Sequence, residues 1–347
     1  KRLAAKYGSL YNAQNVLISA THTHSGPGGY SHYALYNITI LGFQKKTFEA
    51  IVDGIVEAVD RAHASRAPGD ILLNQGELTN ASRNRSAAAF RRNAAADRAV
   101  FPQEIDPLMS VLTFTQGGKP VGALSFFPTH GTSMTNANTL ISGDNKGYAS
   151  YHWEHEHAGV RYRESKSPFV AAFAQTSAGD MSLNLNLKAG SGPTDDEFEN
   201  TRLIGLRQFD KALSLSTQAA TRLSGPVDHR MRYVDMSRVQ VDGRYTPDGQ
   251  AHTTCPAALG ASFAAGSEED GPGPGIAKEG QPNPGLATVG RWLFWPSDAL
   301  KQCHGAKEIV LPVGQMPVGT WVPSTVPVQL LRIGSLGTLT LSCAAAC

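Results

Sequence analysis

Three short apolar runs that each break off into a polar, glycine-bearing loop constrain this chain more than any other feature. Residues 15–20 (NVLISA) run into 21–29 (THTHSGPGG), residues 121–127 into 128–134 (PTHGTSM), and residues 169–173 (FVAAF) into the loop 175–184. Runs of this length, rich in β-formers, read as buried strands. Polar loops that follow strands are where catalytic groups collect, because the sheet fixes the backbone while the loops converge. Helical patterns lie between the strands. Over 44–64, Phe48, Ile51, Val52, Ile55, Val56 and Val59 recur with helical spacing, and over 197–223 a second stripe runs through Leu203, Leu206, Phe209, Leu213 and Ala220. Residues 108–114 and 121–127 flank Gly117-Gly118 and read as a hairpin. Further strands are expected at 71–73, 232–241, 328–333 and 338–341. The alternation predicts an α/β fold, a mixed sheet with flanking helices and active-site loops at the strand ends.

Composition narrows the function. The 347 residues suffice for about two domains or one large one. Lys plus Arg number 31 against 29 Asp plus Glu, a net charge of +2, which leaves no electrostatic case for nucleic acid. No apolar run reaches the roughly 18 residues of a membrane-spanning helix. Gly, Pro and acidic residues concentrate at 266–285, which reads as a long loop. The chain starts at Lys1 without a signal segment and reads as mid-domain by residue 15, so a leader gives no location. Cys255, Cys303, Cys343 and Cys347 form no CxxC pair, which argues against a zinc ribbon. A Cys255–Cys303 disulfide and buried free thiols both remain open on spacing.

The loops carry the candidate chemistry. His22 and His24 stand at i and i+2 directly after a strand, a spacing that can point both imidazoles to one side and seed a metal site; two hydrogen-bonded loop histidines fit equally. His130, at the second strand end, supplies a third nitrogen or a structural contact. The run His152-Trp153-Glu154-His155-Glu156-His157 lacks the HExxH spacing and reads as a solvated helix face. Ser182 follows a strand without the GxSxG pattern of a nucleophile elbow. Arg83 and Arg85 suit either an oxyanion or a surface ion pair. Asp144 reads as a turn or helix cap.

Taken together, ISATHTHSGPGGY (18–30), NASRNRS (80–86), HGTSMTNANTLISGDNKGYASY (130–151), FVAAFAQTSAGDMSLN (169–184) and TCPAALGASFAAGSEEDGPG (254–273) resemble the neutral ceramidase family in order and spacing, over about residues 12–336. The resemblance implies a zinc-dependent amidase that cleaves ceramide to sphingosine and a fatty acid. It implies that His22 and His130 bind Zn2+, that His24 lies beside the metal and handles protons, and that Arg85 stands near the reacting carbonyl. Ser182 matches the serine of a GDVSPN-like hexapeptide, with Met181 and Leu183 in place of Val and Pro, and Cys255 and Cys303 match a disulfide-bonded pair. Two mechanisms follow. Zinc can lower the pKa of water from 15.7 toward about 7, with His24 protonating the leaving amine, or Ser182 can attack the amide and form an acyl-enzyme. The coherent histidine set, and the lack of a base beside Ser182, favour the first.

The resemblance also implies a glutamate ligand near position 344 and a later tyrosine ligand, yet no Glu or Tyr follows Glu308. The expectation is therefore a truncated chain, 1–347 forming a partial N-terminal catalytic domain without the family's C-terminal immunoglobulin-like domain. The alternative function is an inactive remnant that at most binds sphingolipid. An amidohydrolase-type barrel ranks lower, because the 175–184 loop offers no further ligand. The expected partner is ceramide at a membrane or micelle surface, and the expected location is secreted, extracellular or periplasmic.

Overall fold

Gly117 and Gly118 adopt φ values of 56° and 78°, a left-handed pair that glycine takes without steric cost and that closes a two-residue hairpin. The computed structural model of the chain describes residues 1–163, 167–267, 271–272 and 281–341. Up to residue 222 it contains α1 (Arg2–Tyr7), α2 (Lys45–Ala64), β1 (Asp70–Glu77), β2 (Leu108–Gln116), β3 (Lys119–Phe126), α3 (Asp144–Tyr151), β4 (Val170–Ala174), α4 (Glu197–Ser216) and β5 (Thr221–Arg222), among shorter elements. The strands form one sheet in the order β4-β3-β2-β1-β5. Every pair is antiparallel except β3 with β4, which run parallel from Gly122↔Val170 to Phe126↔Ala174. The mixed α/β architecture expected from the sequence is thus present.

Helices α3 and α4 pack on each other and on this sheet. Met109, Val111, Phe127 and Phe173 from the sheet meet Trp153, Ile204, Phe209 and Leu215 in one buried cluster. At about 25 cal/mol per Å², burying such side chains is the main stabilising term. A second sheet, in the order β8-β7-β6, joins β6 (Val227–Asp235), β7 (Thr325–Ile333) and β8 (Leu336–Leu341). Elsewhere in the chain, α5 (Pro284–Phe294) packs on the short strand Ile309–Leu311. Cys255 and Cys303 are disulfide-bonded next to a small core of Ala258, Leu300 and Ile309.

Several expectations are corrected. Residues 15–20 join no strand and Ile18 is 66% exposed; the side chain of Gln329 donates to Gln14 O and Val16 O where ladder bonds were expected. Helix α4 ends at Ser216 and not near 223. Asn74 Nδ2 takes the Ala219 carbonyl, and Thr221–Arg222 pairs with β1. Helix α2 forms as expected but has no fully buried residue; α1 braces it through Arg2 to Asp53 and through Lys6 and Tyr7 to Asp60. The His152–His157 run is a π-helical turn that buries Trp153 and is not wholly solvated. Its Glu154 Oε1 accepts from Ala171 N, 2.8 Å away on edge strand β4. Of the loop expected at 266–285, residues 268–270 and 273–280 lie outside the described residues; Gly266–Ser267 pairs with Gly271–Pro272, and α5 begins at Pro284. Cys343, Cys347 and position 344 also lie outside them. Among the described residues no helix is long and apolar enough to cross a membrane.

Candidate metal centre

The loops after residues 20 and 127 meet backbone to backbone. Thr23 and Gly131 form a parallel bridge, and His24 N donates to Gly131 O at 3.0 Å. The approach is close enough that a Cβ on residue 131 would lie 2.7 Å from His22 O and 2.8 Å from Thr23 Cα. His22 sits at φ 66°, a left-handed conformation that costs a non-glycine residue on the order of 1 kcal/mol or more and is kept where the surroundings enforce it. Ser142 fixes the far side of the same loop, with Ser142 N donating to Ser25 O at 3.0 Å and Thr23 Oγ1 donating to Ser142 O at 2.7 Å.

The result is a cluster of His22, His24 and His130, each offering one ring nitrogen, with these nitrogens all within 4.8 Å of one another. His130 is buried, His22 half-buried and His24 exposed, so the cluster opens toward solvent on the His24 side. The rings of His22 and His130 stand edge to face, centroids 4.6 Å apart. The Nε2 atoms of His22 and His24 lie 3.1 Å apart, near the roughly 3.3 Å that separates two ligands on a tetrahedral ion with bonds of about 2.0 Å. His130 Nδ1 lies 3.1 Å from Met181 O. A carbonyl partner fixes the proton on Nδ1 and leaves the Nε2 lone pair for a cation, the usual outer arrangement of a metal-bound histidine. The donor set therefore fits a borderline metal ion that takes imidazole nitrogen.

The other expected site residues gather on the segment that holds His130. Met181 and Ser182 pair with Arg83 and Asn84 in a two-residue ladder, and His130 N donates to Met181 O at 2.9 Å. Ser182 is fully buried, and its Oγ accepts from Asn184 N at 3.0 Å. Arg85 is half-buried; its Nε and Nη2 both donate to Gly179 O, at 3.1 and 2.8 Å. One loop thus links the Arg85 guanidinium, Ser182 and the carbonyl behind His130.

Beneath the His130 loop lies a buried polar clamp that sequence reasoning missed. The Asp144 carboxylate accepts from Ser133 N and Met134 N at 3.2 and 3.0 Å, so it caps the loop of His130 as well as starting its own helix. Asn145 Nδ2 donates to His130 O at 2.8 Å and receives Gln208 Nε2 on its oxygen. Lys146, 1% exposed, donates through Nζ to Phe127 O, Ala174 O and Gln208 Oε1. All three acceptors are neutral, and burial pushes the Lys146 ammonium down to about 7. These contacts join residues far apart in the chain, and the only sequence signal was three consecutive polar residues opening a helix.

Comparison with known proteins adds to this geometry. Residues 1–346 match the family model described as neutral/alkaline non-lysosomal ceramidase, N-terminal. The chain is 52% identical to a neutral ceramidase of Pseudomonas aeruginosa over 337 residues, covering 96% of this chain and 49% of that protein. It is 47% identical to a neutral ceramidase of Mycobacterium tuberculosis over 339 residues, covering 97% of this chain and 53% of that protein. A solved structure titled ceramidase complexed with C2 aligns with a TM-score of 0.85 at 53% identity, over 97% of this chain and 51% of that one. The chain spans about half the length of these relatives. With matches of that identity over nearly all its residues, the chain belongs to the neutral/alkaline non-lysosomal ceramidase family.

Proposed function

We propose that this chain carries the metal-binding histidines of a zinc-dependent amidase that cleaves ceramide to sphingosine and free fatty acid. The observation that carries the reading is the cluster of His22, His24 and His130 with His130 Nδ1 held by Met181 O, in a chain of this family. His22 and His130 are the proposed zinc ligands. When bound, zinc supplies a Lewis acid that polarises a carbonyl and acidifies water.

The chain's own groups do the rest. His24, the exposed member of the cluster, is the proposed donor of a proton to the amine nitrogen as the C–N bond breaks. Arg85, held by its two bonds to Gly179 O, is the proposed cation that offsets charge developing on the carbonyl oxygen. Ser182, fully buried with its hydroxyl engaged by Asn184 N, serves to shape the loop behind His130 and not as the nucleophile. A disulfide fits an oxidising compartment and supports a secreted or periplasmic protein, which would meet ceramide at a membrane or micelle surface.

The test is fatty-acid release from labelled ceramide by this chain and by a chain of the relatives' length, with and without chelator, together with His22→Ala and His130→Ala. Chelator-sensitive release that both substitutions abolish is expected from the longer chain. Release that survives chelation and both substitutions would sink the zinc reading. Zinc binding by this chain without release would favour the reading in which this stretch binds and does not turn over.

A further inference from the structure

Gln175, the first residue after β4, reaches both histidine loops with a single side chain. Its Nε2 donates to Thr21 O at 3.0 Å and to Thr129 O at 2.5 Å, and its Oε1 accepts from Thr129 N at 3.2 Å. Both amide protons and the carbonyl oxygen are used. Thr21 and Thr129 are the residues immediately before His22 and His130. They lie 154 and 46 residues from Gln175 in sequence, so nothing local brings them together. On the other side of the histidines the Thr23↔Gly131 bridge joins the same two loops. Each histidine is thereby bracketed, by Gln175 before it and the bridge after it.

The base of this side chain is itself fixed. Ala174 is the last residue of β4, its carbonyl accepting from Phe127 N at 3.2 Å and from Lys146 Nζ at 3.0 Å. A rigid strand end therefore carries the amide, and the amide sets where each histidine's backbone begins.

We propose that Gln175 is the positioning residue that sets the separation of His22 from His130. The geometric statement stands by itself, and its consequence for metal affinity rests on the zinc reading above. The chemistry selects an amide. A carboxylate of the same length would face two carbonyl oxygens without a proton to offer, and a thioether would leave all three backbone groups without this partner. Outer residues that orient ligands typically govern metal affinity by about 10–100-fold.

The experiment compares the wild-type chain with Gln175→Met, and with Gln175→Asn, which keeps the amide but is one methylene too short to span both loops. Asn74→Leu is the control, since Asn74 also ties a distant loop through Ala219 O, away from the histidines. Histidine ring signals are read by NMR on metal-free protein, and zinc affinity by competition with a chelator. The expected result is that Gln175→Met moves the signals of His22, His24 and His130, spares those of His63 and His252, and weakens zinc binding about 10–100-fold. Gln175→Asn should act in the same direction and decides the matter if the Met variant does not fold. The proposal is overturned if the three signals stay in place and zinc affinity stays within about twofold of wild type, or if Asn74→Leu moves them equally. A wild-type chain that takes up no zinc would refute the zinc reading, and the ring signals alone would then decide the role of Gln175.

Discussion

Replacing Gly131 with alanine tests the closest contact in the candidate site. The new Cβ would lie 2.7 Å from His22 O, 2.8 Å from Thr23 Cα and 3.1 Å from His22 C, all backbone atoms that cannot swing aside as a side chain would. Ordinary contact begins at 3.4 Å, so the loops must part by about 0.7 Å at the tightest point. Crowding of this kind costs roughly 1–3 kcal/mol, which in a chain of this size lowers the melting temperature by a few degrees. The site should suffer more than the fold. Metal-ligand distances tolerate only about 0.2 Å, and the parting acts between His22 and His130, so zinc affinity should fall by on the order of 10–100-fold. Melting curves and chelator competition measure the two arms. A Gly131→Ala protein that melts and binds zinc like wild type would refute the close approach of the loops, and with it the reasoning that ties their spacing to the metal.

Gly54→Ala is the complementary substitution. Gly54 lies within α2 with nothing within 4 Å of an added Cβ, so the variant should be more stable by about 1 kcal/mol, visible as a raised urea midpoint. Lys146 gives a pH signature. Its pKa is about 7 in the fold against 10.5 unfolded, so the unfolded chain binds more protons between those values. Its contribution to stability therefore rises with pH from about 7 toward 10.5 and is smallest below 7. The urea midpoint of wild type minus that of Lys146→Met should grow from pH 7 to pH 9, and a flat difference would refute the burial argument. Reduction of Cys255–Cys303, which are 48 residues apart, should destabilise by about 4 kcal/mol in the chain-entropy limit. Faster hydrogen exchange at Leu300 and Ile309 after reduction would report it.

Local patterns were readable and long-range polar contacts were not. The hairpin was legible because Gly117-Gly118 sits between alternating strands, and α2 because its apolar residues keep a helical period. The histidines were legible as candidates because each sits in a polar loop after an apolar run. Residues 15–20 misled for the same reason that the other runs succeeded. Apolar β-formers suit a strand, but a strand also needs a partner, and the polar side chain of Gln329 occupies that backbone instead. Gln175 left no signature, because its hydrogen bonds go to backbone atoms of other segments, and backbone groups look alike in every sequence. Asn145 and Lys146 were legible only as polar residues opening a helix, not by the distant groups they bond. Asp144 was half legible; a cap was expected, but the loop it caps lies ten residues earlier in the chain.

The carboxylate that Glu154 lays against Ala171 N bears on how copies of this chain behave toward one another. Strand β4 is the outermost strand of its sheet, and Val170 is 56% exposed. An open strand margin invites a strand from a second molecule, which is one route to aggregation. Here the donor at Ala171 is already taken from within the chain, and the group that takes it is an acid whose other oxygen accepts from Tyr162. A π-helical turn, which looks like an irregularity beside α3, is what brings that charge to the margin. The same few residues that pack Trp153 into the core thus also occupy a donor on the open margin and set a charge beside it, which is the kind of device that discourages a second strand from adding there.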